Sequence, residues 1–255
     1  MVVKLGAIVV VFVAVGAMLV GCGGSAPPTG GTTGGVGTSA DRPVSAGTVV
    51  TFTTDDGVTL SGRLFGRQNK GGAGVVLAHM YPADQTGWYD YARRLADEGY
   101  VALTFDFRGY GESGGSRQID RIDRDVAAAL GEIRARGLTR VVLVGASMGG
   151  TAALMVAARQ PVQGVITLSA PVEFEGLSAK DAVTKVMAPT LFIGAEDDAG
   201  GPAARELGAM APEPKEVAVF PGSDHGTDLL LGAQRDAVLA RMDEFLTRNV
   251  SGSAP

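Results

Sequence analysis

The 255-residue sequence predicts an α/β fold: a mostly parallel central sheet of about eight strands, helices on both faces, and no large cap domain. Three observations predict it. Short, nearly continuous apolar runs recur as GVVLAHM, YVALTFDF, RVVLVG, GVITLSA, PTLFIG and EVAVF, which suits strands buried on both faces. Segments with helical spacing fall between several of them. Ahead of them, TVVTFTTDD and VTLSGRLFG alternate apolar and polar residues about Asp55-Asp56-Gly57, the pattern of an N-terminal antiparallel hairpin.

In chain order, the first segment is MVVKLGAIVVVFVAVGAMLVGC. One cation, Lys4, precedes an unbroken apolar run from Leu5 to Val20, which resembles a secretory signal peptide. The run is somewhat shorter than the ~20 residues of a membrane span. Leu19-Val20-Gly21-Cys22 resembles the bacterial lipobox. The resemblance implies a lipoprotein signal peptide over 1–21 and a lipidated Cys22, with the protein on the extracytoplasmic side of the cell membrane. Cys22 is the single cysteine, so it has no intramolecular disulfide partner. From 22 to 45 the composition is mostly Gly, Ser, Thr and Pro with little charge, which suits a flexible tether. The folded domain is expected over 46–249 and a disordered tail over 250–255.

Within the domain, Trp88, Tyr91, Ala92 and Leu95 mark one helix. Ser116, a candidate N-cap, precedes the stripe Ile119, Ile122, Val126, Leu130 and Ile133. Met148 to Ala158 is apolar nearly all round and reads as a buried helix. Val238, Leu239, Met242, Phe245 and Leu246 form the last stripe. Strands alternating with helices imply right-handed crossovers, with chemistry gathered at the carboxyl ends of the strands.

The net charge of -5 and the lack of a basic run argue against nucleic acid, because phosphate binding relies on Lys and Arg. The two histidines, His79 and His225, lie far apart with no ligand motif around them, so no metal is expected.

FDFRGYGESGGS, residues 105–116, fits two motifs at once. Gly109, Gly111 and Gly114 spell the dinucleotide pattern, and Gly111, Ser113 and Gly115 spell G-x-S-x-G. Context removes both. This is not the first βα unit, and Ser113 is not on an immediate strand-to-helix turn. VVLVGASMGGTAA is: Gly145, Ser147 and Gly149 follow one strand directly and open a helix. Such a turn lifts the Ser147 hydroxyl above the sheet and aims the Met148 N–H at an oxyanion.

With that elbow in place, the chain resembles the α/β-hydrolase family over nearly all of 46–249. LAHMYP looks like the segment with the first oxyanion-hole residues, and FDFRGYGES like the family's D-x-R-G-x-G-x-S loop. GASMGG looks like the elbow, LFIGAEDD like the strand end that supplies the acid, and PGSDHG like the histidine loop. The resemblance implies Ser147 as nucleophile, His225 as base and Asp197 as acid, in the hydrolase chain order. Asp198, Glu196 and Glu173 are competing acids. Serine is a poor nucleophile without such a base. The oxyanion donors are Met148 N–H and an N–H at Tyr81 or Met80; His79-Met80 stands where the family commonly has His-Gly.

The interval PVEFEGLSAKDAVTKVMA holds a loop and about one helix, not a lid, so an open site is expected, with Tyr81, Trp88, Tyr110 and Phe174 as candidate rim residues. The reading is a cofactor-free serine hydrolase (a carboxylesterase-like enzyme) acting on small or lipid-like carboxylic esters or thioesters. Acyl transfer to a sugar or lipid hydroxyl, peptidase activity and non-catalytic binding on the same fold are the alternatives. Asp106 and Arg108 are expected to hold the glycine loop by polar contacts.

Overall fold

The structure, a computed structural model, describes residues 47–67 and 72–250. The expected signal peptide, Cys22 and tether lie outside the described residues, as does the tail from 251 onward.

The chain opens with β1 (Thr48–Thr53) and β2 (Thr59–Phe65), then β3 (Ala73–Ala78), α1 (Tyr89–Asp97) and β4 (Val101–Phe105). It continues through α2 (Ile122–Ala135), β5 (Arg140–Ala146), α3 (Met148–Ala157) and β6 (Gly164–Leu168). A two-residue-stranded hairpin, β7 (Glu173–Phe174) and β8 (Leu177–Ser178), leads to the short α4 (Lys180–Val183). Last come β9 (Thr190–Ala195), α5 (Gly200–Met210), β10 (Lys215–Phe220) and α6 (Arg235–Val250). Short 3-10 turns occupy Gln85–Trp88, Ile119–Arg121 and Gly226–Leu230.

Eight strands form one sheet in the order β1-β2-β4-β3-β5-β6-β9-β10. β1 and β2 pair antiparallel, β2 meets β4 antiparallel, and all later pairs are parallel. The expected mostly parallel sheet with an antiparallel entry hairpin is therefore present. Alternation along each central strand builds two cores. Leu143 of β5 faces the layer of α2 and α3, while Val142 and Val144 face the layer of α1 and α6. The strands are apolar throughout because both faces are covered.

Two local expectations change, and one helix is unexpected. Ser116 caps no helix: the turn Ile119–Arg121 precedes α2, and Gln118 stands before it without a side-chain cap. α6 runs to Val250, one residue beyond the expected domain end. α5 is absent from the sequence reading, because its first turn, Gly200-Gly201-Pro202, reads as a break; proline is tolerated in a first turn.

The glycine loop is held as expected. Asp106 accepts from the Gln85 N–H and side-chain amide and from the Glu112 N–H, each at 2.9 Å. Arg108 is fully buried and donates to both oxygens of Asp125 and both of Asp56. These bonds fasten the loop to α2 and to the β1–β2 turn. Ser113 ties the loop to β2, since its hydroxyl accepts from Ser61 N–H at 2.9 Å and donates to Asp106 O at 2.6 Å.

Candidate active site

β5 ends at Ala146 and α3 starts at Met148, so Ser147 alone makes the turn, at φ 48° and ψ -121°. This is backbone that a side chain adopts at a cost of about 1–3 kcal/mol. The turn is held by Ser147 N–H donating to Leu168 O of β6 at 2.8 Å. It also needs Gly149, where a Cβ would lie 2.6 Å from the backbone oxygens of both Ala78 and His79. The elbow is thus pressed against the end of β3. Met148, as the first residue of α3, has no acceptor for its N–H within its own helix, and the positive end of the helix lies there.

His225 arrives from the loop after β10. Gly226 sits against the elbow: a Cβ on it would lie 3.4 Å from Ala146 Cβ and 2.6 Å from Met80 Sδ. Thr227 Oγ1 also donates to Met80 Sδ at 3.6 Å. Met80, the departure from His-Gly, therefore supports the histidine loop. Sequence reasoning missed this, since a contact between residues 147 positions apart leaves no local pattern.

The His225 ring donates from Nδ1 to Asp198 Oδ2 at 2.8 Å, which leaves Nε2 as an acceptor. The carboxylate that meets His225 is therefore Asp198 and not Asp197, a correction to the expected spacing. The cause is backbone pairing. After β9 the chain turns at once, with Glu196 N–H and Asp197 N–H donating to Phe220 O and Gly222 O, and the Asp197 side chain is left exposed. Asp198 closes that turn by donating its N–H to Ala195 O at 3.3 Å, and its Oδ2 also accepts the Gly200 N–H at 2.9 Å. Glu196 pairs with Arg205 on the surface, and Glu173 is exposed on β7.

His79 is a different histidine. It is buried, donates from Nδ1 to Met80 O at 2.9 Å and accepts the Phe107 N–H on Nε2 at 3.1 Å. Burial lowers its pKa below the ordinary imidazole value, so the ring stays neutral. It ties the turn bearing Met80 and Tyr81 to the glycine loop.

Tyr81 follows β3, Phe174 lies beyond β6, and β5 runs between those strands. Their rings nevertheless pack together, with centroids 5.8 Å apart. Ser147 is 6% exposed. Of the other candidate rim residues, Trp88 is fully buried between α1 and the sheet, and Tyr110 is buried against the ring of His79. No cluster of three metal-ligating side chains exists among the described residues.

Eight strands in this order, a strained serine at the end of β5 and a His–Asp pair after the last two strands define one architecture. The fold is the α/β-hydrolase fold. A Pyrococcus furiosus esterase, Pf2001, superposes with a TM-score of 0.69 at 21% identity, covering 84% of this chain and 96% of its own. Residues 71–189 match the hydrolase family model described as serine aminopeptidase, S33. An uncharacterized protein of Mycobacterium tuberculosis is 27% identical over 233 residues, 82% of each chain. The AB hydrolase superfamily protein YfhM of Bacillus subtilis is 30% identical over 124 residues, 47% of this chain and 43% of its own.

Proposed function

We propose that this α/β-hydrolase-fold protein is a serine hydrolase that cleaves carboxylic esters or thioesters through an acyl-enzyme. The observation that carries the reading is the 2.8 Å bond from His225 to Asp198, with the next residue, Gly226, packed against Ala146 of the strained elbow. Ser147 Oγ attacks the carbonyl carbon while His225 Nε2 takes its proton. Asp198 holds the ring and stabilises the imidazolium. The Met148 N–H and an N–H at Met80 or Tyr81 receive the oxyanion. Collapse of the adduct expels the alcohol or thiol, which takes the proton from His225. Water then attacks the acyl group by the reverse sequence and releases the acid.

A fluorophosphonate probe tests this directly. It is expected to label Ser147 in the folded protein and not in Ser147→Ala, whose turnover falls about 10⁶-fold. An unlabelled wild type would end the hydrolase reading. The S33 resemblance makes amides the comparison substrate: faster release from aminoacyl anilides than from p-nitrophenyl esters would replace the esterase reading with a peptidase one.

We further propose that the enzyme sits on the extracytoplasmic face of the cell membrane, tethered through a lipid on Cys22. The lipobox-like Leu19-Val20-Gly21-Cys22 supports it, since more than one acyl chain anchors stably. Cys22→Ser is expected to lose lipid labelling and membrane fractionation. Retention of both would refute the tether.

A further inference from the structure

Three strands that lie side by side, β5, β6 and β9, are followed directly by Ser147, directly by Ser169, and three residues later by Asp198. Ser169 has no part in the reaction proposed above, yet two separate features mark it. Its φ is 53°, and among the described residues only Ser147 and Glu175 are other non-glycine residues at positive φ. It is also 1% exposed, and its hydroxyl oxygen has no hydrogen-bond partner among the described residues. A buried hydroxyl without a partner is costly, and strain of this kind collects at functional sites.

What lies beside that hydroxyl is the acid. A Cβ placed on Gly200 would fall 2.6 Å from Ser169 Oγ and 2.7 Å from Asp198 Oδ2. Both oxygens thus lie close to one point, along with Ser169 Cβ at 2.5 Å, and the lack of a side chain on Gly200 is what lets them approach it. Ser169 is itself rigidly placed. Its N–H donates to Ile193 O of β9 at 2.7 Å, while Leu168 beside it accepts from Ser147 N–H. The backbone of Ser169 is therefore clamped between the strand of the nucleophile and the strand of the acid, with only the hydroxyl left to turn.

Resting on the hydrolase reading, we propose that Ser169 is a positioning residue for Asp198. Rotation about its Cα–Cβ bond brings Oγ–H to the carboxylate as a donor, beside those from His225 and Gly200. No bond is broken and the proton stays on Oγ. The donor fixes the carboxylate plane, so that Oδ2 keeps facing Nδ1 while His225 gains and loses its proton. The backbone at Ser169 is strained because the hydroxyl has to stand at that one place.

A kinetic double-mutant cycle tests this. Ser169→Ala removes the hydroxyl and keeps the backbone penalty; Ser169→Gly removes both. Each is expected to lower kcat for a p-nitrophenyl ester about tenfold, the size of one hydrogen bond to a charged group, with KM unchanged. In an Asp198→Asn background, the same substitutions are expected to have no further effect. The inference is overturned if Ser169→Ala has wild-type kcat, if Ser169→Gly restores it, or if the loss persists at full size without the Asp198 carboxylate. Should one variant fail to fold, the other carries the cycle. Fluorophosphonate labelling of the wild type separates the two readings. A labelled enzyme with indifferent Ser169 variants removes only this inference, and an unlabelled enzyme removes the hydrolase reading as well.

Discussion

A carboxylate that serves His225 has to reach its Nδ1, and Asp198 does so from the first turn beyond β9 while Asp197 extends into solvent. Asp198→Asn is expected to lower kcat about 10⁴-fold, because the amide favours the wrong ring tautomer. Asp197→Asn is expected to stay within about twofold of wild type, and steady-state kinetics on one ester substrate distinguishes the two. Ser147 and His225 are legible in the sequence because each sits in a motif that its own neighbours explain. The choice between Asp197 and Asp198 is not, because it depends on how far β9 keeps pairing with the chain after β10. His79 supplies a test at the same scale. Burial holds it neutral, so its folded pKa lies below the unfolded value of about 6.5. The unfolded state then binds more protons, and the stability this confers is complete above about pH 6.5 and is lost as pH falls toward the folded pKa. Urea midpoints at pH 7.5 and 5.5 are expected to differ more for wild type than for His79→Gln.

Among the elements, the β7–β8 hairpin of 171–188 carries Phe174, whose ring meets that of Tyr81. The interval is too short for a cap, as its length implies, but its pairing is invisible in PVEFEGLSA, where each strand has two residues. If the two rings bound the acyl side of the site, Phe174→Ala opens it. The ratio of kcat/KM for octanoyl over acetyl p-nitrophenyl esters is expected to rise about tenfold, as a pocket change of one or two methylenes allows. An unchanged ratio would return Phe174 to plain packing. The elbow makes the opposite demand. Gly149→Ala sets a methyl against two backbone oxygens that cannot withdraw, with an expected loss of about 1–3 kcal/mol in chemical denaturation.

For the molecule as a whole, the strand-helix alternation carries nearly the entire architecture, since apolar runs buried on both faces admit few other arrangements. The ion cluster on Arg108 is foreseeable only as a set of polar contacts; its partners Asp56 and Asp125 come from 52 residues before it and 17 after it. Arg108→Met is expected to destabilise the fold by about 3–5 kcal/mol, because it leaves the fully buried Asp125 carboxylate unpaired. The Arg108 hydrogen bonds also hold Asp56 well below the usual carboxylate range. That contribution is present above about pH 4 and is lost on further acidification. Thermal melts across pH 3 to 7 are expected to show the loss in wild type, whereas Arg108→Met regains stability on acidification as its unpaired Asp125 is protonated.

The adjacency of β5, β6 and β9 has one more consequence. Neighbouring strands stand about 4.8 Å apart, so the ends that carry Ser147 and lead to Asp198 are separated by about 10 Å, a distance measured out by the sheet. The ladder is the ruler of the site. Pulling the strands apart means breaking backbone bonds in the deepest part of the protein. Heat should therefore leave the catalytic spacing intact until the sheet itself opens, and activity and tertiary structure should vanish in a single transition.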